Sequence, residues 1–183
     1  MKRAVVIILI ILAVLTIIYV IRDNSSINKT DIPKTSENDN FHPDPSNATF
    51  IFDDGPITLS VGRNERTITP ESTLSEETTL MDKFAYGDIN KDGKVDTALL
   101  LARYGGGSGT FIYLAAFVSG LINYKGSEVV FIGDRIVPQS ISIDGEIVTV
   151  KYLDRGPNEA FSAEPVIPMS KQFIYRNGAF QEK

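Results

Sequence analysis

The chain has 183 residues, with 18 Lys and Arg against 23 Asp and Glu, no Cys and one His. Lys2, Arg3 and Arg22 flank the first apolar run, so residues 23–183 hold 15 basic and 23 acidic residues. A domain that acidic repels phosphate backbones, which excludes nucleic acid as a partner. Without Cys there are no disulfides, thiolate metal sites, thiol nucleophiles or acylated lipoprotein Cys. The lone His42 stands in a Pro- and Asn-rich stretch, a poor place to hold a catalytic base rigid.

Residues 4–21, AVVIILIILAVLTIIYVI, carry no charge. As a helix they would reach roughly 27 Å, close to the hydrocarbon thickness of a bilayer. The basic pair before them predicts a cytoplasmic N-terminus and an exported remainder. A cleavable signal peptide would have a shorter apolar core and a small-x-small exit. Here the exit is the bulky Tyr19-Val20-Ile21-Arg22. Residues 1–22 are therefore expected to be an uncleaved transmembrane anchor, placing the chain as a single-pass protein of the inner membrane. Residues 23–45 are polar and carry three prolines. They cannot bury enough apolar surface to order themselves and read as a flexible tether.

From 46 to 183 the pattern is that of strands. ATFIF (48–52), Asp53-Asp54-Gly55 and ITLSVG (57–62) predict a hairpin. Residues 71–83 fit a short helix or an irregular connection. TALLLARY (97–104) is apolar enough for a central strand, and TFIYLAAFV (110–118) and EVVFIG (128–133) follow it. QSISIDGEIVTVKYL (139–153) alternates about Asp144-Gly145, and the last segment turns at Asn177-Gly178. The expected fold class is mainly β, with α+β as the alternative: an antiparallel sheet domain with hairpins, preceded by one transmembrane helix.

The stretch 87–96, GDINKDGKVD, is the sharpest chemical motif. Asp88, Asn90 and Asp92 stand at alternate positions of a tight loop, Gly93 supplies the sharp turn, the Lys94 carbonyl follows, and Asp96 closes. Calcium takes six to eight hard oxygen ligands, and this spacing can aim several inward. Carboxylates this close repel each other unless a cation intervenes. Position 12 of an EF-hand would be an acid, but here it is Leu99. A structural calcium ion held by Asp88, Asn90, Asp92, Lys94 and Asp96 is expected, as in FG-GAP-type and dockerin-like loops, which share this core.

Other motifs are blander. Gly105–Gly109 lacks the Lys-[Ser/Thr] of a phosphate loop, and Thr110 stands where a nucleophile elbow through Ser108 would need Gly. It reads as a tight loop, with an anion- or peptide-binding nest as the sharper alternative. Gly133-Asp134-Arg135 and Asp154-Arg155-Gly156 suggest cross-sheet clamps, Asp134 with Arg155 or Asp154 with Arg135. Tyr86, Tyr104, Phe111, Tyr113 and Phe117 read as core.

In order along the chain, NATF (47–50), GDINKDGKVD (87–96), GGSGTFIYLAA (106–116), GDRIVPQ (133–139), VKYLDRGPNEAF (150–161) and SKQFIY (170–175) resemble a family of bacterial exported and lipoprotein-like proteins with no assigned activity. The likeness spans about residues 47–180. It implies an envelope location and a β domain, and no catalytic residues. Three functions remain open. One is a binding or structural module of the envelope, with a protein partner there. Another is a hydrolase using carboxylates such as Asp53, Asp54 or Asp134. The third is an inhibitor of an envelope enzyme such as lysozyme, acting through the 104–110 loop.

Overall fold

The computed structural model describes residues 41–69, 73–160 and 162–183. The expected anchor (4–21) and residues 23–40 of the expected tether lie outside them. Among the described residues there is no helix, and hence none long and apolar enough to cross a membrane. All sheets are antiparallel.

Three layers stack. The first is a hairpin of β1 (Thr49–Phe52) and β2 (Gly55–Thr58). The second is a six-stranded sheet. It runs β3 (Arg63–Thr67), β4 (Ser75–Gly87), β5 (Asp96–Gly105), β6 (Phe111–Val118) and β7 (Lys125–Gly126), and β8 (Val130–Asp134) also pairs with β6. The third has four strands, β9 (Val137–Asp144), β10 (Ile147–Asp154), β11 (Ile167–Arg176) and β12 (Ala179–Glu182), ordered β12-β11-β10-β9.

β5 explains the stacking. Successive strand residues face opposite sides. Ala98, Leu100 and Ala102 point into one core with Val148, Val150 and Phe173 of the third layer. Leu99 and Leu101 point into the other core, against Phe50, Phe52, Ile57 and Leu59 of the hairpin. A strand apolar on both faces must be covered twice. TALLLARY is thus the central strand that its composition predicts.

The hairpin turns follow their residues. Asn177 and Gly178 both have positive φ, at 54° and 94°, as a two-residue type I′ turn requires. Gly145, with φ 56°, opens the β9–β10 turn.

Two expectations need correction. Residues 75–83 form neither a helix nor a connection: they belong to the 13-residue β4, whose residues 75–79 pair with β3 and whose residues 76–80 and 84–87 pair with β5. Thr78 is buried within that ladder, so tertiary pairing overrides the weak local pattern. A register shift between Leu80 and Phe84 accommodates Met81–Lys83. Of the expected tether, the final residues belong to the folded unit, which begins at His42. Pro43 and Pro45 are buried there. The Pro43 carbonyl accepts Thr97 Oγ1 at 2.8 Å, and the His42 ring meets Tyr86 edge-on with centroids 3.8 Å apart.

Candidate functional site

The 87–96 loop joins β4 to β5. Its carboxylates fold the backbone around themselves. Asp88 Oδ1 and Oδ2 accept the amides of Asp92 (3.0 Å) and Gly93 (2.9 Å). Asn90 Oδ1 accepts the Asp92 amide at 3.0 Å, and Asp92 Oδ1 accepts the Lys94 amide at 2.9 Å. Gly93 has φ 81° and Lys91 φ 65°, the left-handed geometry of a sharp turn.

Asp96 plays a different part. It is fully buried. Its Oδ2 accepts the amides of Ile89 (2.9 Å) and Asn90 (3.2 Å), and its Oδ1 accepts the Ser119 amide at 2.8 Å. Three of a carboxylate's roughly four lone-pair directions are therefore taken. Burial pushes its pKa up, opposed by these amides. Ser119, just past β6, is the partner that sequence reasoning missed. Its hydroxyl donates to Asp92, and that bond holds the Asp92 carboxyl below its ordinary pKa. Asn90 Nδ2 donates to the Ser119 carbonyl at 3.1 Å. Nothing near Ser119 resembles a calcium motif, and only the β5–β6 pairing brings it to the loop.

Whether calcium fits rests on the donor set. Among the described residues no three His, Cys, Asp or Glu side chains converge as a ready metal cluster. The loop's donors are instead mixed: the Asp88 and Asp92 carboxylates, the Asn90 amide oxygen and the Lys94 carbonyl. All are hard oxygens with lone pairs left after their hydrogen bonds. Asp96 has one direction to spare and chiefly braces the loop.

The other end of β5, roughly 30 Å away by strand rise, carries the remaining motifs. Thr110 N donates to Asp134 Oδ1 at 3.0 Å, and Arg135 N donates to the Thr110 carbonyl at 2.7 Å. Arg135 Nη2 reaches Ser108 Oγ at 3.3 Å. Arg155 Nη1 donates to the Arg135 carbonyl at 3.0 Å, and its Nε to the Ala163 carbonyl at 2.6 Å. The motifs are joined otherwise than expected: Arg155 grips the Arg135 carbonyl and not Asp134, while Asp134 sits 3.5 Å from the Nε of its neighbour Arg135. Tyr104 and Tyr86 are about two-fifths exposed, contrary to the core reading, whereas Tyr113 and Phe117 pack against the hairpin core.

A third cluster was not foreseen. Arg103 donates Nε to Glu76 Oε1 and Nη2 to Glu76 Oε2, both at 2.7 Å, and Nη1 to Asp54 Oδ1 at 2.9 Å. Arg66 binds Glu76 at 2.7 Å and also Asp54. The Arg103 guanidinium stands 5.0 Å from the Phe52 ring centre. Arg103, followed by Arg66, holds the Asp54 carboxyl well below the usual range. Burial pushes Glu76 up, but the two arginines outweigh it and its pKa falls. Carboxylates held ionised this way are poor proton donors.

An open cleft of about 430 Å³ lies between the hairpin and β6–β7, walled by Ile51, Phe117, Tyr124 and Lys125. No family model, curated protein or solved structure matches the chain.

Proposed function

We propose that the chain is an extracytoplasmic binding or structural module of the bacterial envelope. In this reading residues 4–21 anchor it in the membrane, and a calcium ion held by Asp88, Asn90, Asp92, Asp96 and the Lys94 carbonyl fixes the 87–96 loop. One observation carries the structural role of the loop. Asp96 ties the loop's own amides to Ser119, so the loop locks the ends of β4, β5 and β6 together. An ion there would relieve the repulsion between Asp88 and Asp92 and stiffen that junction. Asp54 and Glu76, consumed by arginine pairs, favour binding over carboxylate hydrolysis.

A second reading, inhibition of an envelope enzyme, draws on the exposed Ser108 and Tyr104 of a loop stiffened by Asp134 and Arg135. Calcium titration of the purified protein, followed by calorimetry, tests the staple. A pull-down from an envelope extract, paired with a lysozyme assay, separates a partner from an inhibited enzyme. If neither heat nor captured protein appears, the proposal is wrong.

A further inference from the structure

The turn between β6 and β7 breaks two rules at once. Gly120-Leu121-Ile122-Asn123 puts two large aliphatic residues at a loop tip, where Gly, Asn, Asp and Pro are favoured. Leu121 is 104 % exposed and Ile122 91 %. The shape is fixed. Gly120 N donates to the Asn123 carbonyl at 3.0 Å, and a Cβ at Gly120 would lie 2.7 Å from that oxygen. The base is braced by Tyr124 Oη on the Val95 carbonyl (2.8 Å) and by Asn90 on Ser119. A braced turn presenting two bare aliphatic side chains is costly in water and suited to an apolar medium.

The chain's own path says which medium. His42 packs on Tyr86 and Pro43 accepts from Thr97, and Tyr86 and Thr97 are paired across β4 and β5. Thr97 in turn pairs with Phe117, next to the turn. The polypeptide therefore enters the domain at the same end that carries Leu121 and Ile122. Between Arg22 and His42 there are 19 residues. Nineteen residues reach at most about 65 Å even fully extended, which keeps a domain with a radius of gyration of about 14 Å close to the bilayer surface. The same end exposes Val95 and Tyr86, residues that suit a membrane interface. Its charges roughly offset, with Lys91, Lys94 and Lys125 against Asp44, Asp88, Asp92 and Glu146, the last paired with Lys91, so apolar contact would carry the attraction.

We infer that the Gly120–Asn123 turn docks the domain on the lipid bilayer from which its N-terminal segment emerges, with Leu121 and Ile122 entering the interface. The inference rests on the proposed anchoring of residues 4–21. The membrane end of the domain is then the calcium-loop end, and the Ser108 loop faces away.

The chain contains no Trp, so one introduced Trp is a clean reporter. Full-length Leu121→Trp is reconstituted into vesicles of zwitterionic lipid, with Tyr104→Trp, at the opposite end of β5, as the control. Both proteins should float with the vesicles. Emission from the Leu121→Trp protein should be blue-shifted and lost on substituting lipids brominated in the acyl chain, whereas emission from the Tyr104→Trp control should persist. Adding Ile122→Ser to the Leu121→Trp protein should restore its emission. If both proteins float but bromolipids quench the turn reporter no more than the control, the docking is wrong and the anchor stands. A blue-shifted turn reporter that bromolipids leave bright means a protein, such as a second copy, covers the turn, which also overturns the docking. Failure to float removes the anchor and the docking with it.

Discussion

Arg103 on β5 grips Glu76 on β4 through two parallel bonds of 2.7 Å, Nε to Oε1 and Nη2 to Oε2. The same guanidinium holds Asp54 in the β1–β2 turn, so one buried cation ties the hairpin to the central sheet. Removing Arg103 leaves Glu76 and the half-exposed Asp54 to Arg66 alone, at a cost of about 2 kcal/mol, less than that of breaking a fully buried pair. Arg103→Ala should lower unfolding stability by that order in a urea titration. Arg103→Lys should recover only part, because an ammonium cannot form the two-pronged contact. An unchanged midpoint in Arg103→Ala would show the clamp to be decoration.

Acid should attack this clamp first. Asp54 and Glu76 both have folded pKa values below their unfolded ones. A carboxylate depressed in the folded state contributes stability above its unfolded pKa, near 4, and loses it as pH falls through the folded value. Stability should therefore decline below about pH 4. Asp96 runs the other way. Its raised pKa means that the folded state favours the protonated form, so its contribution weakens as pH climbs from about 4 to that raised value. In an Asp54→Asn, Glu76→Gln double variant, urea midpoints across pH 2–6 should lose most of the acid-side fall, the remainder resting on Asp92, which is also held below its ordinary pKa. A retained fall would place the acid sensitivity elsewhere.

Calcium at millimolar concentration should raise the melting temperature of the wild-type protein. Asp88→Ala and Asp92→Ala should each abolish that rise, because each removes a ligand and a loop-closing acceptor. Ser119→Ala separates the staple from the ion. It removes the hydroxyl bond to Asp92 and should cost about 1 kcal/mol without abolishing the calcium response. A wild-type protein whose melting ignores calcium would leave only the hydrogen-bonded turn.

Gly126 marks where the hairpin meets β7. A Cβ there would lie 2.2 Å from the Thr49 carbonyl and 2.8 Å from the Phe50 ring. Gly126→Ala should push the two strands apart and destabilise by about 1–3 kcal/mol. Gly145→Ala, with open space around its Cβ, should cost only the strain of a positive φ, about 1 kcal/mol. Equal losses in the two variants, measured by thermal melts, would mean that the Thr49 contact is not tight.

Local rules were enough for much of the sheet. The alternation of 139–153, the Asn177-Gly178 turn and the apolar run 97–104 each have one comfortable backbone solution, and the structure adopts it. The spacing of Asp88, Asn90 and Asp92 with Gly93 likewise marked a tight loop, and the structure closes it with side-chain bonds that span only a few residues. The three-layer order lies beyond any single segment. Leu99 and Leu100 look alike in sequence, and only the assembled sheets assign them to different cores. β4 was illegible because Glu76 and Thr78 are strand residues only once Arg103 and β5 lie beside them. Ser119 reaches Asp96 across 23 positions, and His42 joins the fold through Tyr86 and Thr97. Short-range preferences decide turns and faces. Contacts between residues far apart in the chain decide which faces meet, because their free energy exists only after the intervening loops have closed.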